Sequence, residues 1–226
     1  MADNERVMTA DPTPSRPRVV MRREPVQRRS AARVSSILDS CAALLDEFDY
    51  DELTTSKIAE RAGVPIGSLY QYFPDKRAVV QALTMRNLDA FSAEVERIFT
   101  GEGVPTRWRE AVDLVMDSYL QMLDQVPGFG RIRFGDVVDT HLLDAEEDNN
   151  AVLAAKLSEL FAKSYQVPNS EDLRLAFRMV VEVSDALIKL ALRLGEDQRP
   201  VALTTAREVV GGILGAHLDA GRPGLS

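Results

Sequence analysis

Between Thr54 and Lys76 the chain collects side chains suited to gripping a nucleic acid rather than to breaking bonds. Gln71 carries an amide able to hydrogen-bond a base edge, while Ser68, Tyr70, Tyr72 and Lys76 offer hydroxyls and an ammonium that suit phosphates. Leu69 and Phe73 are four apart and turn one face of a short helix inward. Tyr70, Gln71 and Tyr72 cannot all face that same core, so an exposed aromatic and polar edge is expected. Gly67 stands near the start of this helix, where a missing side chain permits close approach of another backbone and the helix dipole is positive. The spacing alone also fits an ordinary helical hairpin with surface tyrosines.

Other chemistries lack their parts. The two histidines, His141 and His217, are far apart and show no metal-ligand spacing. There is no phosphate-cradling glycine loop and no nucleophile elbow. Gly211-Gly212-Ile213-Leu214-Gly215 has no strand before it, so it is not a nucleotide fingerprint. The expectation is a chain with no enzymatic activity, no cofactor and no metal. The single cysteine, Cys41, cannot form an internal disulfide and fits a small buried hydrophobe. With no run of about 18 apolar residues and no apolar segment after the N-terminal arginines, no membrane is expected as a partner, and the expected location is the cytoplasm.

The elements that must position these residues follow from apolar periodicity. Residues 1–27 hold four of the eleven prolines and no apolar pattern, and read as a flexible arginine-rich arm. Ile37, Leu38, Cys41, Leu44, Leu45 and Phe48 mark one face of a first helix. Thr54 or Thr55 can cap a second helix that Gly63 ends. A very short third helix spans Ile66 to Phe73, Pro74 stops it, and Asp75 can cap a long fourth. Pro105 suits the first turn of a helix carrying Trp108, Val112, Val115, Met116, Tyr119, Met122 and Leu123. A short helix is expected over Phe129 to Val138, and another carries Leu153, Leu157, Leu160 and Phe161. No strand pattern persists. The predicted fold is all-α with about nine helices: a helix-turn-helix unit over residues 28–76 and a helical domain over 77–221.

The last two helices carry more apolar surface than a helix packed only within its own domain needs. From Glu171 to Leu194 the polar residues form one narrow stripe. Leu173, Phe177, Val180, Ser184, Leu187 and Ala191 line one side of it; Leu175, Met179, Val183, Ala186, Leu190 and Leu194 line the other. The final helix holds Gly211, Gly212 and Gly215, each costing about 1 kcal/mol relative to alanine. That cost makes sense where another backbone comes close. Met179, Val183, Leu190, Gly211, Gly212 and Gly215 are therefore the expected homodimer interface; a core helix buried within one chain is the other reading. Charge is divided along the chain as well. The net −8 lies wholly beyond residue 80, while residues 1–33 hold eight arginines against four acids.

Residues 33–83 resemble the N-terminal DNA-binding domain of TetR-family regulators. The resemblance rests on Thr54-Thr55-x-x-Ile58-Ala59-x-x-Ala62-Gly63-Val64, then Gly67-Ser68-Leu69-Tyr70-x-Tyr72-Phe73, then Asp75-Lys76. It implies a three-helix unit with the third helix in the DNA major groove and double-stranded DNA as partner. Thr55 and Ser56 would meet the DNA backbone. Ile66, Gly67 and Gln71 would lie nearest the bases, with Pro65 beside them. Ser68, Tyr70, Tyr72 and Lys76 would clamp phosphates, and Arg22, Arg23, Arg28 and Arg29 could follow an adjacent groove. The resemblance also implies a C-terminal domain that dimerises and encloses a small-molecule effector. Trp108, Met116, Tyr119, Phe129, Phe134, Phe161, Phe177 and Met179 supply bulky surface for that pocket, with His141 and Asp185 as polar candidates. Asp185, four residues before Lys189, fits a solvated stripe instead. The implied function is a sequence-specific regulator, a ligand-released repressor acting as a homodimer on a palindromic operator. An activator or co-regulator of the same kind, or a helical dimer that binds no DNA, are the alternatives.

Overall fold

The computed structural model describes residues 28–101, 103–132 and 149–219, and every regular element among them is helical. Eight α-helices follow in order: α1 (Arg28–Glu47), α2 (Thr55–Arg61), α3 (Ile66–Tyr72), α4 (Lys76–Thr100), α5 (Trp108–Gln125), α6 (Asn149–Tyr165), α7 (Glu171–Arg193) and α8 (Arg199–Leu218). A single 3₁₀ turn, Tyr50–Glu52, links α1 to α2. The helix expected over Phe129 to Val138 begins as hydrogen-bonded turn, with Arg131 and Ile132 both donating to the Gly128 carbonyl. Its remainder lies outside the described residues, as do Phe134, His141 and the N-terminal arm. No helix among the described residues is long and apolar enough to cross a membrane.

Local chemistry explains most of the boundaries. Thr54 accepts the Lys57 N–H at 3.2 Å and so caps α2. Asp75 accepts the Ala78 N–H at 2.8 Å at the start of α4, and Ser170 does the same for Leu173 on α7. Pro105 is no part of α5, which starts three residues later; its carbonyl instead receives the Tyr165 hydroxyl at 3.0 Å.

Two hydrophobic clusters share α4. The first joins Ile37, Cys41 and Leu45 of α1 to Ile58, Leu69, Phe73, Val79, Val80 and Leu83. The second begins at Leu88 and takes Phe91, Val95 and Phe99 into the packing of α5 to α8. The hydrophobic boundary therefore falls inside α4, between Leu83 and Leu88. At 25 residues this helix is about 37 Å long and spans both clusters as one rod. Cys41 is fully buried in the first, and desolvation pushes its thiol up to about 12, so it behaves as a neutral apolar group.

A second link between the clusters is the turn after α5. Gly128 has φ +73°, and a Cβ placed there would stand 2.7 Å from the Ala42 carbonyl oxygen and 3.0 Å from the Leu45 Cβ. Its N–H donates to the Asp46 carboxylate at 2.7 Å, Arg131 pairs with Asp49 at 2.8 Å, and Ile132 is buried in the first cluster. Phe129, beside it, stacks edge-on against Tyr119 of α5 at 5.5 Å.

Two of the glycines of α8 have close neighbours within the chain. A Cβ at Gly211 would meet the Arg109 guanidinium at 2.7 Å, and one at Gly215 would meet it at 3.2 Å and the Trp108 ring at 3.8 Å. Arg109 stacks over Trp108 and donates to the Gly211 carbonyl, and Trp108 Nε1 donates to Asp219 at 2.7 Å. Gly212 alone of the three is exposed, with nothing near its Cβ position.

Gly128→Ala therefore meets both a left-handed backbone and a rigid neighbouring carbonyl. It should cost about 2 kcal/mol or more, measured as a lower urea midpoint. An unchanged midpoint would mean that the turn does not rest on α1.

Candidate nucleic-acid interface

The display of α3 begins with the end of α2. Gly63, at φ +64°, turns the chain left-handed; its N–H donates to the Glu60 carbonyl and that of Val64 to Ala59. These two bonds satisfy the last carbonyls of α2 and reverse the chain within three residues. Pro65, in extended conformation, accepts from Ser68 at 2.8 Å and opens α3. At the same end of α2, its last residue Arg61 grips Glu47 of α1 through two bonds of 2.7 and 2.9 Å. That bond lowers the Glu47 carboxyl and raises Arg61.

A helix of seven residues is not stable alone, so tertiary burial must hold α3. Leu69 and Phe73 are fully buried, as their spacing predicts. Tyr72 is buried with them, and this overturns its place among the exposed phosphate-clamping side chains. It stands three residues after Leu69, within the same inward arc, so its ring is core. The exposed edge is formed by Pro65, Ile66, Gly67, Tyr70 and Gln71, with Ser68 half-buried. Ile66/Tyr70 and Gly67/Gln71 are i,i+4 pairs and lie side by side on that edge. A Cβ at Gly67 would meet nothing within 4 Å, so the chain's own packing does not require glycine there.

The surrounding polar groups are held rather than loose. Tyr70 and Thr55 share a hydroxyl–hydroxyl bond of 3.0 Å that joins α3 to the first turn of α2, and Ser56 is exposed beside it. Lys76, expected to clamp phosphates, donates to the carbonyls of Tyr50 at 2.9 Å and Asp51 at 3.3 Å and lies over the Tyr50 ring. Lys57 is held in the same manner by the Glu52 carbonyl and the Phe48 ring. Neutral carbonyls fix these ammonium groups without cancelling their charge, so both still contribute positive potential. Lys57 was not singled out by the sequence, because its anchors lie on a turn five and nine residues earlier.

A partly open cavity of about 80 Å³ lies among the C-terminal helices, lined by all five from α4 to α8. Met116, Tyr119, Phe161 and Phe177 line it as expected. Trp108 does not, because it is occupied against α8; Phe129 stands behind Tyr119. Met179 is 49% exposed on the other side of α7, since residues 177 and 179 project about 200° apart on a helix. The wall also contains Phe91, Leu157, Asn150, Ser184 and Asp185. Asp185 thus faces the cavity while paired to Lys189, which corrects its placement on a solvated stripe.

The burial of Tyr72 separates two variants. Tyr72→Ala should cost about 3–5 kcal/mol, as loss of a buried aromatic does, and lower the thermal midpoint before any binding is measured. Tyr72→Phe should keep the midpoint and isolate the hydroxyl. Equal stability of Tyr72→Ala and the parent would contradict the burial.

Two family models match the chain. Residues 37–83 match the model described as bacterial regulatory proteins of the tetR family, and residues 106–218 the tetracyclin repressor-like C-terminal domain. A TetR-family transcriptional regulator from Streptomyces coelicolor is 37% identical, with a TM-score of 0.69 over 82% of this chain and 99% of that one. The repressor AlkX from Dietzia, 17% identical with a TM-score of 0.57, shares the fold. Among curated proteins, the A-factor receptor protein of Streptomyces griseus is 35% identical over 79 residues, 35% of this chain and 26% of that one. The repressor KstR of Mycolicibacterium smegmatis is 32% identical over 73 residues, 32% of this chain and 36% of that one. The nucleoid occlusion factor SlmA of Alteromonas mediterranea is 28% identical over 132 residues, 58% of this chain and 62% of that one. The chain thus spans between a quarter and about three-fifths of the length of these curated relatives. Matched in both its helical regions, and along nearly all of a solved regulator, the chain belongs to the TetR family.

Proposed function

We propose that this chain is a sequence-specific DNA-binding transcriptional regulator: a repressor that binds a palindromic operator as a homodimer and leaves it when a small effector binds. The observation that carries the reading is the exposed edge of α3. Ile66, Gly67, Tyr70 and Gln71 project from a helix whose other face is anchored by Leu69, Tyr72 and Phe73. A short, rigidly held helix with a glutamine and a bare glycine on its outer edge suits entry into a major groove. In this reading Gln71 and Ile66 meet bases, while Thr55, Ser56, Ser68 and Tyr70 meet phosphates. Lys57 and Lys76 attract DNA from their fixed places. Residues 28–76 read the operator, and residues 77–221 pair the subunits and hold the effector.

Exposed apolar surface supports the dimer. Leu175, Met179 and Leu190 are about half exposed on α7, and Val209 and Gly212 are exposed on α8. Two such surfaces meeting about a two-fold axis would set two α3 helices on successive grooves, about 34 Å apart or a multiple of that. No catalytic role enters this reading.

Selection from randomised DNA tests its centre. An enriched inverted repeat is expected, and its absence overturns the proposal. Gln71→Ala should relax preference at one or two positions by about 1–3 kcal/mol each. Gly67→Ala should fold at least as well, gaining up to about 1 kcal/mol of helix propensity, yet bind the selected operator more weakly.

Oligomeric state is a separate test. Met179→Glu with Leu190→Glu should turn the dimer into a monomer by sedimentation, with helix content unchanged and operator affinity much reduced. A variant that stays dimeric would place the interface elsewhere.

A further inference from the structure

The wall of the cavity is uneven in its chemistry. Most of it is hydrocarbon or aromatic, from Phe91 on α4 through Met116, Leu157, Phe161 and Phe177 to Leu214 on α8. The polar part is confined to Asn150, Ser184 and Asp185, apart from the hydroxyl of Tyr119. Asn150 is almost wholly buried and donates from Nδ2 to Glu182 at 3.2 Å. Glu182 is one helical turn before Asp185, so the three polar groups gather where the first turn of α6 meets the middle of α7.

The charges around that end already cancel. Lys189 pairs with Asp185 at 2.5 Å, and Arg178 with Glu182 at 2.9 Å. Among the described lining residues there is no lysine, arginine or histidine. A ligand carboxylate buried here would face the Asp185 carboxylate with no cation of its own. A ligand ammonium would compete with Lys189 for a charge already met. A neutral hydroxyl or amide N–H brings no net charge and donates to carboxylate or carbonyl oxygen, a favourable charge-assisted bond in a dry site.

We propose that the cavity takes an uncharged, mainly hydrocarbon molecule whose one hydrogen-bond-donating group meets Asp185, Ser184 and Asn150, and that it discriminates against the matching carboxylate. The inference rests on reading this cavity as the effector site. Size adds a second feature. The space is roughly half the ~150 Å³ that accepts benzene in an engineered apolar cavity, so its buried part takes only a few carbon atoms and a longer chain extends toward the open side.

The test uses the full chain with 1-pentanol and 1-octanol against the corresponding alkanoates and alkylamines. Binding is read by calorimetry and by thermal shift. At about 100 times its Kd, a ligand of the folded state should raise the midpoint by about 5–10 °C. The alcohols should bind, with the alkanoates at least about tenfold weaker. Asp185→Asn should close most of that gap by admitting the alkanoates. Ser184→Leu and, separately, Val181→Phe should abolish alcohol binding by filling the space. Alkanoates or amines binding the parent as well as the alcohols would overturn the proposal. So would alcohol binding that survives both filling variants, or no binding by any of these probes. Operator selection with the ligand-free protein is independent of all these results, so failure here does not count against DNA binding.

Discussion

The nucleic-acid-facing surface depends on one act of burial. Helix α3 has seven residues, too few to form on its own, and it exists because Leu69, Tyr72 and Phe73 are removed from water against α1 and the start of α4. The inward face fixes the outward one: with residues 69, 72 and 73 buried, residues 66, 67, 70 and 71 lie on the exposed side. Rigidity follows from the same contacts. The Gly63 reversal sets where α3 starts, the Thr55–Tyr70 bond ties its outer edge to α2, and the Arg61–Glu47 pair ties α2 to α1. A reading helix positioned in this way needs little ordering when it meets its target.

The same cluster is joined to the rest of the chain at two separate places. One is α4, which carries Val79 and Leu83 in the first hydrophobic cluster and Leu88 to Phe99 in the second. The other is the Gly128 turn, seated on Ala42 and Leu45 and hydrogen-bonded to Asp46. Two attachments resist rotation that a single helix would allow. Phe129, in that turn, touches Tyr119, and Tyr119 touches Phe91 and the cavity. A change of cavity shape therefore has packed side chains on both routes toward α1.

In the C-terminal region the apolar surface of α7 divides between two tasks. Phe177, Val180 and Ile188 close the core and the cavity, while Leu175, Met179 and Leu190 remain at the surface. The narrow polar stripe between them is only partly solvated: Glu171, Glu182 and Arg193 are exposed, while Arg178, Asp185 and Lys189 are half-buried. Its acids and bases pair along the helix, Arg178 with Glu182 and Asp185 with Lys189, and one member faces the cavity. In α8 the glycines serve two purposes as well: Gly211 and Gly215 admit Arg109 and Trp108, and Gly212 leaves an open face.

Much of this was legible in the residues because the causes are local. Thr54, Gly63, Asp75 and Ser170 act on backbone groups a few positions away, so caps and stops can be read from neighbours. The i,i+4 pair Leu69/Phe73 and the two apolar sides of α7 follow from helical geometry alone. Other features have causes far away in the chain. Gly211 lies against Arg109, about a hundred residues earlier, and Trp108 is held by Asp219. Lys76 is anchored by carbonyls of the Tyr50 turn, and Asp185 reaches a cavity whose other walls come from four more helices. Sequence by itself determined most of the helices, several of their ends and most of the outward edge of α3, because periodicity and capping act within a turn or two. Only the tertiary structure decided which glycines answer to a neighbouring helix, which tyrosine is core and which acid meets the cavity. Those outcomes depend on which distant side chain fills the adjacent space.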